Sequence, residues 1–146
     1  MSFRVAQIDH VELFVPDRHA AAAWYSEVLG LTPLSGAEKW STDPRGPLMI
    51  SPDGGRTKLA LFQGEPQGNR PTAGFHRVAF RVNGADFLIF LDRAEQLDLG
   101  DGPLPVRVTD HESAFSAYFA DPYAPHLEVT TYDHEAVRAA RRLGAG

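Results

Sequence analysis

Cysteine is absent from the 146 residues of the chain, which excludes disulfide bonds and thiolate metal ligands. Any transition metal would therefore be bound by nitrogen and oxygen atoms of His, Asp and Glu side chains. Positive charge is scarce as well, since 14 Lys and Arg residues oppose 19 Asp and Glu residues and leave a net charge of −5. Without a general positive field, neither nucleic acid nor an anionic membrane surface is expected as a partner.

Long apolar runs are also lacking, because no stretch reaches the roughly 18 residues that a membrane-spanning helix needs. The first residues carry none of the regions of a signal peptide, so we expect a cytoplasmic location. Hydrophobic residues make up 43% of the chain, as is usual for a globular protein. This composition and length predict a single domain over residues 1–146.

The chain contains an internal repeat, which is the main guide to its fold. Segments 8–15 and 74–82 both have strand character, and in both a His is followed four residues later by a Phe. The two histidines are His10 and His76. Because they recur at the same place in the repeat, we expect them to be equivalent positions on two equivalent strands.

Each repeat continues into a helix with a recognisable beginning. The first helix is predicted over residues 18–29 and should end at Gly30, a residue type that favours the left-handed conformation after a helix. The second helix is predicted over residues 85–97. Asp17 and Asn83 precede the two helices and are the expected N-caps, because their side chains accept hydrogen bonds from free backbone N–H groups.

Three short strand-like segments follow each helix and are separated by Pro and Gly residues. They are residues 31–34, 48–51 and 58–63 in the first half, and residues 106–109, 114–119 and 126–131 in the second half. The pattern is βαβββ twice, which predicts an α+β fold. We expect two modules that form a curved, mostly antiparallel, eight-stranded open sheet with the helices outside.

The repeat also predicts how the domain is divided. Module one should cover about residues 5–63 and module two about residues 74–132. Residues 64–73 are rich in Gly, Pro and Asn and should form the linker between them. A C-terminal helix is expected at about residues 134–143.

His10, His76 and Glu128 are the candidate metal ligands. Glu128 lies between Leu127 and Val129 on the last predicted strand, where an unpaired buried carboxylate would be costly. Two imidazoles and one carboxylate hold a divalent cation while leaving coordination positions open. Taken singly, a His on an apolar strand is more often a hydrogen-bonded core residue than a ligand, and a Glu there is usually on an exposed face; the combination favours the metal site.

These residues, together with Asp121-Pro122 and the run His126-Leu127-Glu128-Val129, resemble the vicinal oxygen chelate superfamily. Its members include glyoxalase I, extradiol ring-cleaving dioxygenases, fosfomycin-resistance thiol transferases and bleomycin-binding proteins. The resemblance implies a divalent metal ion, a small-molecule substrate with vicinal oxygens and, for a chain of this length, a homodimer. Whether the ligands would come from one subunit or from two stays open.

Three comparisons with family patterns help to choose among these reactions. Glyoxalase I enzymes use a fourth ligand, a Glu on the last strand of module one, and residues 58–63 contain no carboxylate. Bleomycin-binding members lack the metal ligands that this chain retains. The fosfomycin enzymes need several cationic residues around a phosphonate, and near the ligands only Arg77 and Arg81 are present, on the strand side away from His76.

Ring-cleaving dioxygenases carry a catalytic Tyr ten residues before the metal Glu and a His somewhat earlier. Tyr118 stands ten residues before Glu128, and His111 is the candidate acid/base residue, although a strand aromatic and a loop His are the plainer interpretations. The resemblance therefore favours a dioxygenase-like enzyme with Fe(II) or Mn(II), with Zn(II) or Ni(II) as alternative ions. A glyoxalase-like lyase or isomerase, a fosfomycin-type thiol transferase and a small-molecule-binding or sequestering protein remain the alternative functions.

Overall fold

A computed structural model of the chain describes residues 4, 6–65, 76–123 and 125–144. The chain divides into two compact units, Met1–Ala73 and Gly74–Gly146. The predicted linker over 64–73 lies outside the described residues from position 66 onward, as do the first two residues of the predicted second module. None of the helices in these ranges is long and apolar enough to span a membrane.

The first unit contains a four-stranded sheet, one long helix and one short helix. Its strands are β1 (His10–Val15), β2 (Thr32–Pro33), β3 (Leu48–Ser51) and β4 (Lys58–Gln63). Its helices are α1 (Arg18–Leu29) and α2 (Glu38–Ser41). The strands lie in the order β1-β4-β3-β2, in which β1 and β4 are parallel and the other neighbouring pairs are antiparallel.

The second unit repeats this plan and adds a small hairpin and a C-terminal helix. Its strands are β5 (Val78–Arg81), β6 (Gly100–Asp101), β7 (Leu104–Pro105), β8 (Arg107–Asp110), β9 (Phe115–Ala120) and β10 (His126–Thr131). Its helices are α3 (Gly84–Gln96) and α4 (His134–Gly144). The main sheet has the order β5-β10-β9-β8 with β5 and β10 parallel, and β6 pairs with β7 separately.

The predicted α+β class with two βαβββ modules is confirmed, and each module forms its own four-stranded, mostly antiparallel sheet. The helix caps explain why the helix bounds agree closely with the sequence. The carboxylate of Asp17 accepts hydrogen bonds from the backbone N–H groups of His19 and Ala20, and Gly30 ends α1 with φ 71°. Asn83 caps α3 by accepting from the N–H of Asp86.

One face of each sheet packs against the long helix of its module. In the second unit, the rings of Phe87 and Phe115 lie 6.3 Å apart and those of Phe90 and Phe119 lie 5.1 Å apart, which joins α3 to β9. Leu127 pairs with Phe119 and is fully buried on the same side. The other side of the sheet, which we call the distal face, carries the alternate residues of each strand.

Candidate functional site

His10 is the first residue of β1 and lies on the distal face of module one. Its neighbours Leu13 and Val15 alternate to the buried side of β1, which places His10 and Glu12 on the other side. The ring Nδ1 of His10 lies 2.7 Å from Oδ2 of Asp9, and Asp9 also accepts a hydrogen bond of 2.8 Å from Nζ of Lys58. The hydrogen bond with Asp9 raises the pKa of His10 above its usual value.

This contact with Asp9 orients the imidazole of His10. A carboxylate that accepts the Nδ1–H fixes the tautomer and leaves Nε2 as the nitrogen that can bind a cation. Nε2 lies 3.4 Å from a carboxylate oxygen of Glu12 on the same face. The local chemistry at His10 therefore fits a metal ligand with an outer carboxylate behind it.

Glu128 lies on the distal face of module two. It pairs with Tyr118 on β9 and with Ala79 on β5, and it is half-buried. Within the described part of the chain, its carboxylate has neither a hydrogen bond nor an ion pair. A half-buried carboxylate of this kind is available to bind a cation or a substrate group.

His76 precedes β5 by two residues and is exposed. Val78 and Phe80 pair with the buried residues Leu127 and Val129, so they lie on the helix side of the sheet. Strand alternation assigns position 76 to that side as well. The ring of His76 nevertheless lies 6.4 Å from the ring of His126, a residue on the face of Glu128.

Arg77 is the residue that corresponds to His10 in sheet geometry. It alternates to the distal face, and its guanidinium lies over the ring of Tyr118, 4.5 Å from the ring centroid. The sequence repeat aligns His10 with His76 because both precede the helix cap by seven residues. In the sheet register Val82 is equivalent to Val15. Counted from these two positions, two residues precede α1 but only one precedes α3, so the same spacing reaches a different side of the strand.

Tyr118 and His111 are brought together by the second module. The Nε2 atom of His111 lies 2.9 Å from the hydroxyl oxygen of Tyr118, whose side chain is buried. His111 follows β8 directly, and its backbone N–H donates to the carbonyl oxygen of Ala114 across the turn to β9. This turn, in which Glu112 has φ 67°, places the imidazole over the strand that carries Tyr118.

Arg107 is a site residue that the sequence did not single out. It pairs with Tyr118 across β8 and β9, and its guanidinium lies 4.4 Å from the same ring centroid. The signal that reveals it is the cross-strand register, which spacing along the chain does not contain. Arg77 and Arg81 do lie on the strand side away from position 76, as predicted, but that side is the one that carries Glu128.

No group of three or more His, Asp or Glu side chains that could hold a metal ion occurs among the residues described by the structure. His10 belongs to the first unit, and His76 and Glu128 belong to the second. The joint ligand set of these three residues stays a prediction, and so do the catalytic roles of Tyr118 and His111.

Solved structures with a similar fold include proteins of several activities. The oxidase ChaP-H2 aligns with a TM-score of 0.62 and 21% identity over 88% of this chain and 94% of its own. Lactoylglutathione lyase from Agrobacterium tumefaciens gives 0.62 and 23% identity over 88% and 96%. A mutant of the fosfomycin resistance protein FosX from Listeria monocytogenes, solved with Mn(II) and 1S,2S-dihydroxypropylphosphonic acid, gives 0.67 and 15% identity over 91% and 97%.

At these identities the structural likenesses show the fold alone. A search of curated proteins finds no significant match. The family model described as the Glyoxalase/Bleomycin resistance protein/Dioxygenase superfamily matches residues 7–129, most of both modules. The chain therefore belongs to the glyoxalase, bleomycin resistance protein and dioxygenase superfamily.

Proposed function

We propose that the chain is a divalent-metal-dependent enzyme of the vicinal oxygen chelate type that acts on a small molecule with two adjacent oxygens. Its chemistry would be most similar to that of a ring-cleaving extradiol dioxygenase. The observation that carries this proposal is the hydrogen-bond distance of 2.9 Å between His111 and the hydroxyl of Tyr118. Tyr118 is the cross-strand partner of Glu128, so the dyad and the carboxylate share one face.

His10, His76 and Glu128 would hold the metal. The imidazole of His10 is oriented by Asp9, and Glu128 has no other partner within the described residues. This set of nitrogen and oxygen donors suits Fe(II) or Mn(II), with Zn(II) or Ni(II) as alternatives. When bound, the ion would supply Lewis acidity and a template for two substrate oxygens.

The chain's own residues would move the proton. The hydroxyl of Tyr118 would donate to Nε2 of His111 and accept a hydrogen bond from a catechol hydroxyl. As the catechol ionises, its proton would pass to Tyr118 and the proton of Tyr118 would pass to Nε2 of His111. The protonated His111 would then donate to Tyr118, whose O–H would donate to the substrate oxygen. Burial of Tyr118 keeps bulk water from competing for that hydrogen bond.

The test is turnover of a panel of catechols by protein reconstituted anaerobically with Fe(II) and then exposed to oxygen. We expect ring-cleaved product with at least one catechol. Tyr118→Phe and His111→Gln should each lower kcat by about 10²- to 10⁴-fold, the usual contribution of a positioned acid or base. Tyr132→Phe is the matched control, since that Tyr is exposed, and should leave kcat unchanged. Metal-loaded protein that cleaves no catechol, or a Tyr118→Phe variant with normal kcat, would contradict the proposal.

A small-molecule-binding protein without a metal is the second candidate. The observation that favours it is that Arg77, and not a His, takes the distal-face position equivalent to His10. Elemental analysis and equilibrium dialysis separate the two candidates. The enzyme should take up about one divalent ion per chain, whereas a sequestering protein of this kind should take up none.

Two other reactions remain as alternatives within the enzyme class. Arg77, Arg81 and Arg107 share the face of Glu128, which favours a fosfomycin-type thiol transferase more than the sequence alone did. Strand β4 carries no carboxylate, which disfavours a glyoxalase-like lyase or isomerase. Assays with fosfomycin plus a thiol and with a hemithioacetal test these reactions.

We propose a cytoplasmic homodimer as the working form, and light scattering in solution tests the dimer.

A further inference from the structure

Two guanidinium groups converge on Tyr118 in module two. Arg107 reaches the ring from β8, and Arg77 reaches it from the β5 side of the sheet, on the other side of β9. The two cations therefore approach one phenol from opposite sides of its strand. The sheet register holds both of them on the face that also carries Glu128.

Neither guanidinium has a carboxylate partner within the described ranges. Arg107 makes one side-chain hydrogen bond, of 3.3 Å, to Oγ1 of Thr109. The Nε atom of Arg77 is buried and has no hydrogen-bond partner among the residues described. A guanidinium has five N–H donors, so most of the donors of this pair bind no side chain or carbonyl in the part of the chain that the structure describes.

Stacking on Tyr118 does not account for this arrangement by itself. A cation over an aromatic face gains a modest electrostatic attraction, but a buried N–H without an acceptor carries a desolvation cost of similar size. Two like charges beside one ring also repel each other. An anion bound between them would provide acceptors for the free donors and remove the repulsion.

We propose that Arg77 and Arg107 form a binding site for the oxyanion of a small-molecule ligand, a carboxylate or a phosphonate, at the ring of Tyr118. Carboxylate and phosphonate groups can each accept two parallel hydrogen bonds from the planar guanidinium. The inference rests on the proposed function in one respect, namely that this ligand is the substrate. The oxyanion would then anchor the substrate on the face where Glu128 and the His111–Tyr118 dyad lie.

The experiment measures binding to the metal-free protein by isothermal titration. The probes are benzoate, phenylphosphonate and, as the neutral analogue, benzyl alcohol. We expect at least one of the two anions to bind at a single site and to weaken with added salt, and benzyl alcohol to bind about tenfold more weakly or not at all. The tighter of the two anions identifies the group that the substrate carries.

Three variants complete the design. Arg77→Gln and Arg107→Gln should each weaken binding of the anion by about tenfold or more, whereas Arg77→Lys should recover part of it because the charge is kept. Arg142→Gln removes an exposed cation from α4 and should bind as the wild type does. Circular dichroism and thermal melting confirm that each variant is folded.

The proposal is overturned if folded Arg77→Gln and Arg107→Gln variants bind the anion as tightly as the wild type, or if benzyl alcohol binds equally well. The titration uses metal-free protein, so its outcome does not depend on ring cleavage. Failure of the proposed function and failure of the oxyanion site can therefore be told apart. Binding of benzoate without any ring cleavage would leave the oxyanion site standing and refute the dioxygenase. Ring cleavage with intact rates for an anionic catechol in Arg77→Gln would refute the site alone.

Discussion

The two modules share a strand order and a helix position but differ on their distal faces. In module one this face is apolar at Phe14, Met49, Ala60 and Phe62, whereas its polar residues His10, Glu12 and Lys58 lie towards the start of β1 and β4. In module two it is polar, with its sheet residues Arg107, Tyr118, His126 and Glu128. The side that packs on the helix is apolar in both modules because it makes the core, whereas the other side differs between them. Most of the candidate chemistry therefore belongs to module two.

The modules also differ at the start of the long helix. In module one the buried guanidinium of Arg18, at the start of α1, donates hydrogen bonds to the backbone carbonyls of Ser41, Asp43 and Gly46, which joins the helix to α2 and to the loop before β3. In module two Phe87 and Phe90 of α3 pack against β9. Both long helices bury apolar side chains, including Tyr25 of α1, so the guanidinium of Arg18 adds a polar anchor to apolar packing in module one.

Of the variants that test this comparison, Phe87→Ala should lower the free energy of unfolding most. Phe87 is fully buried, and truncation of a buried Phe costs about 3–5 kcal/mol in free energy of unfolding through lost burial and the cavity left behind. Urea denaturation measures the loss. Ile89→Ala on the same helix is the control, because Ile89 is 55% exposed and its truncation should cost far less. Similar losses for both variants would show that α3 is not held by its aromatic side.

Arg18→Met should have a smaller effect in module one. Met keeps most of the volume but removes the donors, and loss of the hydrogen bonds made by the buried guanidinium should cost about 1–3 kcal/mol in total. The same denaturation experiment applies, with Arg45→Met as the control since its side chain is 92% exposed. An Arg18→Met variant as stable as the wild type would mean that the guanidinium does not anchor α1.

The smallest effect concerns pH and a turn of module one. The N–H of Thr57 donates to the carboxylate of Asp53 and is the main cause that lowers the pKa of Asp53 from 3.8 to about 2. A pKa lowered in the folded state adds stability above pH 4, and this contribution is lost as the pH falls towards 2. The stability difference between wild type and Asp53→Asn should therefore shrink between pH 4 and pH 2. Denaturation curves at several pH values measure it, and a difference that stays constant would contradict the assignment.

The sequence predicts those features that depend on local contacts. The bounds of α1 follow from Asp17 and Gly30, and both sheets follow from short apolar segments between turns. The short helix α2 and the hairpin of β6 and β7 were not predicted, since α2 has no side-chain cap and both strands have two residues.

Side-chain placement was harder to predict than the elements. The burial of Arg18 depends on carbonyls more than 20 residues away, which no local pattern reveals. The equivalence of His10 and His76 was inferred from spacing, and one residue fewer between strand and helix was enough to put Arg77 on the corresponding face. The contact between His111 and Tyr118 agrees with the pairing that the family resemblance suggested, whereas Arg107 needed the strand register.

The most direct test of the account compares metal affinity in His76→Ala and Arg77→Ala. If His76 completes the ligand set, His76→Ala should weaken binding of Mn(II) by more than about a hundredfold, since even residues behind the ligands contribute 10- to 100-fold. Arg77→Ala should bind Mn(II) as the wild type does. Wild-type affinity in His76→Ala, or an equal loss in both variants, would contradict the proposed metal site.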